Sequence, residues 1–319
     1  MGDIVLTTPV IRSIKRAHPN WELHFLTKPA YQDLLIHNPY IDHLHLLEDQ
    51  FGKQIGRLRE EAFDYLIDLH NNLRTLRLRL GLRIPTTTFN KQNLAKYKMV
   101  RFKKRKLVIS HIVQRYGECL NRLEVELDEE GLDLFLPDDL NRWAKGQLSE
   151  AHCLADAEKC LAVVLGATFA TKRWIPEYFA QTIEGLQRPV LLLGGKDARA
   201  EADIILEKLH VPVFDAVGKF DLLKSAALLR QCQEVLTHDT GFMHIAAAFG
   251  MKTYSLWGST VPELGMTPYK TPHRLIENKE LGCRPCSKIG FDRCPKGHFR
   301  CMKEMLPDQV MAEINQGIS

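Results

Sequence analysis

Two short aliphatic runs that each end on glycine narrow the fold of this chain more than any other feature: Leu161-Ala162-Val163-Val164-Leu165-Gly166 and Val190-Leu191-Leu192-Leu193-Gly194-Gly195. Each is too short for an ordinary helix and apolar at every position, and each is followed by a polar loop and a helical pattern. Such strands suit a parallel sheet buried between helix layers. The rhythm continues with strands expected at residues 211–214, 234–237 and 253–257. The first half shows it too. Thr7 and Thr8 offer helix caps, Pro9 suits a first turn, and Val10, Ile11 and Ile14 form an apolar stripe. Strands are expected at 21–27, 43–47 and 65–69, with helical stretches at 31–37 and 52–62.

At 319 residues the chain exceeds one ordinary core. The fold class expected is therefore α/β with two doubly wound, Rossmann-like domains, at residues 1–150 and 151–319, joined through a polar stretch at 137–159. Doubly wound domains open on a strand that feeds the first helix, yet Met1-Gly2-Asp3 leads straight into the helical pattern. The first, central strand is expected to be missing, with the natural start lying upstream. No apolar run reaches the roughly 20 residues that span a bilayer, and no signal-peptide core is present, so a cytoplasmic location is expected.

The net charge of +4 hides an asymmetry. Between Asp68 and Glu118 there is no acidic residue, while thirteen Lys and Arg residues fall there, from Arg74 to Arg115. A solvated face is the plain alternative, but this imbalance points to an anionic ligand, either a phosphorylated glycolipid or a membrane surface. Arg74, Lys98, Arg101 and Lys103 are the expected contacts to an anionic acceptor, and the region around residues 96–106 is expected to touch anionic lipid. Nucleic acid is not expected, because the run carries no recognisable module and its aromatics (Phe89, Tyr97, Phe102) are no denser than a core requires.

Three loops at strand ends carry the chemistry. Glu234 to Gly250 reads as a strand, the turn Asp239-Thr240-Gly241, and a short helix containing Met243 and His244. A helix start offers N–H groups and a positive dipole end to an anion such as a diphosphate. An ordinary Asp/Thr cap would also explain that string. The loop Gly258-Ser259-Thr260 ends the following strand, where α/β sheets place ligands. Thr171-Lys172-Arg173 follows the strand that ends near Leu165, and a Lys-Arg pair there can neutralise a diphosphate.

Taken in order, M-G-D-I-V-L-T-T-P at the start, T-K-R-W-x-P at 171–176, D-T-G-x-M-H-x-A-A-A at 239–248 and the W-G-S-T loop resemble glycosyltransferase family 9, the bacterial lipopolysaccharide heptosyltransferases. The resemblance runs through nearly the whole chain. It implies a GT-B fold, with two domains facing a central cleft. It also implies an inverting, metal-independent transfer from an ADP-heptose-like donor to an acidic glycolipid acceptor. Asp3 then matches the general base, Lys172 a lysine on the donor phosphates, and Asp239, Thr240, Gly241 and His244 the nucleotide-sugar loop. Thr171, Arg173, Met243 and Thr260 complete the expected donor site. A GT-B-shaped nucleotide-sugar epimerase and a non-catalytic nucleotide or glycolipid binder are the competing readings.

The cysteines Cys283-x-x-Cys286, Cys294 and Cys301 crowd one stretch. A structural zinc held by the four thiolates, with His298 as a substitute ligand, competes with free thiols or a disulfide.

Overall fold

The structure is a computed structural model in which residues 1–107, 109–150 and 160–318 are described. Residues 151–159 of the expected connection lie outside the described residues. Two compact units emerge. The first comprises Asp3–Asn93 and Ser110–Phe135, and the second Leu94–Ile109 and Leu136–Ser319. The division thus falls at Phe135, ahead of the expected residue 150, and the segment Leu94–Ile109 belongs to the second unit although the chain enters it between two parts of the first.

In the first unit, α1 (Gly2–Val5) and α2 (Thr8–Ala17) precede β1 (His24–Thr27), β2 (His43–Leu46), α3 (Phe51–Glu60), β3 (Leu66–Asp68), α4 (Leu73–Leu82) and β4 (Thr86–Thr88). β1 pairs with β2 and β3 with β4, all in parallel, as two separate two-stranded sheets. Thr7 is the N-cap residue of α2, but its side chain makes no cap bond. Its hydroxyl donates to the Ile4 carbonyl at 2.7 Å, and Pro9 occupies the first turn. The stripe Val10, Ile11 and Ile14 is buried as the 3.6-residue period demands. On the same helix Arg12 is 1% exposed, yet it is tied by Nε and Nη2 to the two carboxylate oxygens of Asp128 at 2.7 Å and by Nη2 to the Gly131 carbonyl at 2.8 Å, with Asp133 as a further partner. A buried guanidinium is tolerated only when its donors are matched in this way.

α5 (Asn93–Phe102) opens the inserted segment, and its Met99 packs with Ile109, Val261 and Leu264. The chain then returns to the first unit as α6 (Ile112–Gly117). The remainder of the second unit runs α7 (Asp138–Glu150), β5 (Leu161–Val164), α8 (Pro176–Leu186), β6 (Val190–Leu193), α9 (Arg199–Leu206), β7 (Val213–Asp215), α10 (Leu222–Arg230), β8 (Glu234–His238), α11 (Gly241–Ala248), β9 (Lys252–Trp257), β10 (His273–Glu277), α12 (Arg300–Lys303) and α13 (Pro307–Asn315). Helix α7, expected in the first domain, packs on α10 of the second unit, with Trp143 edge-on to Phe220 at 5.3 Å.

The six strands form one parallel sheet in the order β7-β6-β5-β8-β9-β10. Alternate residues of the aliphatic strands face opposite ways. Leu161, Val163, Val190 and Leu192 join one core cluster with α8, α9 and α13, while Ala162, Leu191 and Leu193 are equally buried outside that cluster. Complete burial on both sides is why these strands read as unbroken apolar runs. β10 escaped the sequence reading because His273 and Arg274 begin it and Glu277 ends it. Among the described residues, no helix is long and apolar enough to cross a membrane.

Candidate donor site

In this strand order the succession of strands turns back between β5 and its parallel neighbour β8: β6 and β7 are added on one side of β5, and β8, β9 and β10 on the other. The crevice at the carboxyl ends of such a pair is where open α/β sheets bind ligands. The loop after β5 and the turn after β8 are fastened together there. His238, the last residue of β8, is fully buried. Its Nε2 accepts from the Trp174 amide at 2.8 Å, so the ring proton lies on Nδ1 and is donated to the Gly166 carbonyl at 3.2 Å. Burial, abetted by the charges of Arg173 and Lys172, pushes the imidazole down to about 4. Gly166 has a positive φ of 74°, and a Cβ there would lie 3.0 Å from the Ala198 Cβ, so glycine is required for this sharp turn.

Lys172 and Asp239 form the centre. The Lys172 ammonium lies 2.6 Å from the Asp239 carboxylate and donates to its carbonyl at 3.0 Å, and the Thr260 hydroxyl donates to the same carboxylate at 2.6 Å. Asp239 is therefore an anchor that aims Lys172 and joins three loops. Thr240 is the N-cap of α11 but makes no side-chain cap bond, so the first-turn N–H groups from Gly241 onward are not closed by that hydroxyl. An anion can use them. Lys172 and the start of α11 thus put an ammonium and a helix dipole at one turn.

Several expected donor residues are also tied into the frame of these loops. Thr171 is 2% exposed, and its hydroxyl bonds Ser259 at 2.9 Å and the Phe291 backbone on both sides. Thr260 is 1% exposed, and Met243 and His244 are buried. Arg173 turns away from Asp239 to ion-pair with Asp197 at 2.5 Å and Glu201 at 2.8 Å. Lys172, Arg173, Thr240 and Gly241 are the partly accessible members of the expected donor set, and of the two cations Lys172 is the one beside Asp239.

Sequence reasoning missed Arg284. This fully buried guanidinium donates to the carbonyls of Trp257 at 2.9 Å and Thr260 at 2.8 Å, also to those of Gly258 and Asn278, and ion-pairs with Glu277 at 2.8 Å. It fixes the loop that carries Thr260. Arg105 closes the same network with two-pronged bonds to Glu263 and Glu277. The cationic run is accordingly less free than its composition suggests. Arg105 is neutralised, Arg115 is buried with three carbonyl acceptors, and the Lys103 ammonium donates to the Pro285 carbonyl at 2.7 Å. Lys98 and Arg101 stay exposed on α5 beside Leu94, Tyr97 and Phe102, which are 67%, 59% and 57% exposed. Arg74 belongs to the other unit, on α4.

In the first unit Asp3 lies in the first turn of α1, exposed, with no hydrogen bond or ion pair among the described residues. It is close enough to Tyr116 that its charge, added to burial, raises that phenol well above the ordinary value. A polar depression of about 520 Å³ in the same unit is lined by Asn71, Thr88, Phe89, Asn90, Lys91, Gln92 and Asn93. Its amides offer paired donors and acceptors of the kind that sugar hydroxyls use.

The four-cysteine zinc set is not assembled. Tetrahedral thiolates around zinc sit about 4 Å apart, but among the described residues no three of Cys283, Cys286, Cys294, His298 and Cys301 bring their ligand atoms within 4.8 Å of one another. Cys301 is packed into the apolar core, where burial pushes its thiol up to about 12, while Cys283 faces His298 at 3.8 Å.

Comparison with known proteins bears on the family and the fold. The family profile described as glycosyltransferase family 9 (heptosyltransferase) matches residues 52–293. Lipooligosaccharide heptosyltransferase 2 of Campylobacter jejuni is 23% identical over 99% of this chain and 96% of its own length. Among solved structures, a family 9 glycosyl transferase from Veillonella parvula superposes with a TM-score of 0.80 at 21% identity, covering 99% of this chain and 94% of that one. The ADP-heptose lipopolysaccharide heptosyltransferase II of E. coli superposes with a TM-score of 0.74 at 18% identity, covering 99% and 95%. The fold is GT-B, built from two Rossmann-like α/β units.

Proposed function

The chain belongs to glycosyltransferase family 9, and from that premise we propose that it transfers a heptose, or a related sugar, from an ADP-sugar to a lipopolysaccharide core or similar anionic glycolipid. The observation that carries this reading is the coupling of Lys172 to Asp239 at the start of α11. The names of the relatives support the donor and acceptor classes.

Transfer breaks the bond between the anomeric carbon and the diphosphate oxygen, and forms one to an acceptor hydroxyl on the opposite face. Negative charge grows on the departing diphosphate. Lys172 supplies a charge-assisted hydrogen bond there, and the α11 N–H groups at Gly241 supply oriented dipoles. No metal is needed for that stabilisation. Asp3 accepts the proton of the acceptor hydroxyl, a role suited to an exposed carboxylate free of competing bonds. The polar depression around Asn90 binds acceptor sugar hydroxyls. Arg74, Lys98, Arg101 and Lys103 meet acceptor anions, and the apolar tips Leu94, Tyr97 and Phe102 rest on the cytoplasmic face of an anionic membrane.

Two substitutions test the scheme with ADP-heptose and an acceptor in which lipid A carries an acidic sugar. Asp3→Asn abolishes transfer while ADP binding, measured calorimetrically, persists. Lys172→Ala weakens ADP binding roughly tenfold or more, the loss of one charge-assisted hydrogen bond of about 1.5–3 kcal/mol. An Asp3→Asn enzyme that transfers at the native rate overturns the mechanism. Donor isomerised in the absence of acceptor would establish an epimerase instead.

A further inference from the structure

We propose a divalent-cation site of the zinc class on the β1–β2 ribbon of the first unit, formed by Glu22, His24 and His43 with His45 supporting them. The ribbon places these residues together by register. His24 and His43 are direct partners across the parallel pair, and His45 follows His43 by two positions, as His24 follows Glu22, so all four project from one face. The ligand atoms of Glu22, His24 and His43 all lie within 4.8 Å of one another, the one such group among the described residues. His43 Nε2 is 2.5 Å and His24 Nε2 3.7 Å from Glu22 Oε1, and the His24 and His43 rings are 4.4 Å apart. Around a cation bound at about 2.0–2.1 Å, such atoms are separated by about 3.3 Å. The group needs only a small rearrangement, and the side chains of Glu22 and His43 are free to make it at 65% and 52% exposure.

Three further observations favour a cation over a simple surface ladder of rings. Glu22 has no Lys or Arg partner among the described residues, and its ion-pair partners are the two imidazoles. The neighbouring acid, Asp42, is occupied by Lys15 at 2.7 Å and by the Leu23 amide, which leaves Glu22 as the carboxylate whose oxygen meets both the His24 and His43 rings. His45 Nε2 lies 2.8 Å from His24 Nδ1. That contact orients the His24 ring and leaves its Nε2 toward Glu22, which is how outer partners commonly hold a metal-binding imidazole. Phe63, edge-on to His24 at 4.9 Å, braces the ring from another side. Two or three imidazoles with one carboxylate select zinc or a neighbouring transition ion over magnesium or calcium.

The group sits where β1 and β2 begin, at the opposite strand ends from those that bind ligands in α/β sheets. A bound ion there would clamp a pair of four-residue strands rather than take part in transfer. The test is equilibrium dialysis of the full chain against zinc chloride, comparing the native protein with His43→Ala and His43→Asp. The expected result is one zinc equivalent more in the native protein than in His43→Ala at low micromolar free zinc, with the equivalent restored in His43→Asp. The cysteines are the same in all three proteins, so thiolate binding cancels in the comparison. Cobalt loaded into the same site gives ligand-field bands that vanish in His43→Ala, with any sulfur-to-cobalt charge-transfer band unchanged. Circular dichroism and ADP binding confirm that the half-exposed His43 is not needed for folding. Equal stoichiometry in native and His43→Ala protein, or binding that appears only at millimolar zinc, overturns the proposal.

Discussion

Acidification should loosen the second unit through a single imidazole, and the size of the effect follows from its burial. His238 is held neutral, pushed down to about 4, whereas in the unfolded chain a histidine titrates near 6.5. The unfolded state therefore gains a proton first as pH falls. The stability that His238 contributes is complete above about pH 6.5, is lost between there and about pH 4, and then levels off. The shift of about 2.5 units corresponds to about 3 kcal/mol in full, and to about 2 kcal/mol already at pH 5. Burial is complete, so solvent does not discount it. The assay is chemical denaturation followed by tryptophan fluorescence at pH 8 and pH 5, for native protein and His238→Gln. Trp174 is a suitable reporter because its amide is bonded to His238 and its indole to the Met305 carbonyl. The variant is weaker at pH 8 by about 1–2 kcal/mol, because one amide replaces the ring imperfectly. It should be less sensitive to acid than the native protein by about 2 kcal/mol. Parallel pH profiles, agreeing within about 0.5 kcal/mol, would refute the assignment of a buried neutral histidine.

Arg284→Met removes a buried charge that binds four carbonyls and Glu277. The second unit should lose about 3 kcal/mol in denaturant titration, and a loss below about 1 kcal/mol would show that the network relaxes without it. The double variant Tyr97→Ser/Phe102→Ser should reduce partitioning onto phosphatidylglycerol vesicles about tenfold or more, as the loss of two aromatic tips at about 1–2 kcal/mol each implies. Unchanged partitioning would show that α5 does not meet lipid.

The second unit was legible because its strands are buried on both faces, so composition alone marks them, and because Asp239-Thr240-Gly241 is a local signal. Everything that depends on distant partners was hidden. The run from Arg74 to Arg115 looks uncompensated only along the chain, since Arg105 finds Glu263 and Glu277 at separations of 158 and 172 residues. The resemblance put Asp239 in the nucleotide-sugar loop, and only the folded chain shows that its carboxylate is held by Lys172 and Thr260. Arg173 reads as a second phosphate cation, yet two acids beyond β6 claim it. The cluster of Glu22, His24 and His43 carries no spacing signature, because strand register rather than helix pitch gathers it. β10 was lost to charged termini on a strand whose Ile276 is nonetheless buried.

The excursion of residues 94–109 into the second unit has a consequence for dissection and for synthesis. A C-terminal fragment that starts after Phe135 follows the last division between the units, but it lacks Met99, which packs on Val261 and Leu264, and Arg105, which pairs with Glu277. It would present bare apolar surface and an acid with one guanidinium too few. A growing chain faces the same constraint in time. The segment emerges first and must wait for more than 150 further residues before Glu263 arrives, so the first unit cannot close over its own sequence as a continuous block. Shuffling the halves of two relatives at this boundary would separate residues that pair in this chain; the seam that preserves the pairs runs through two places in the sequence.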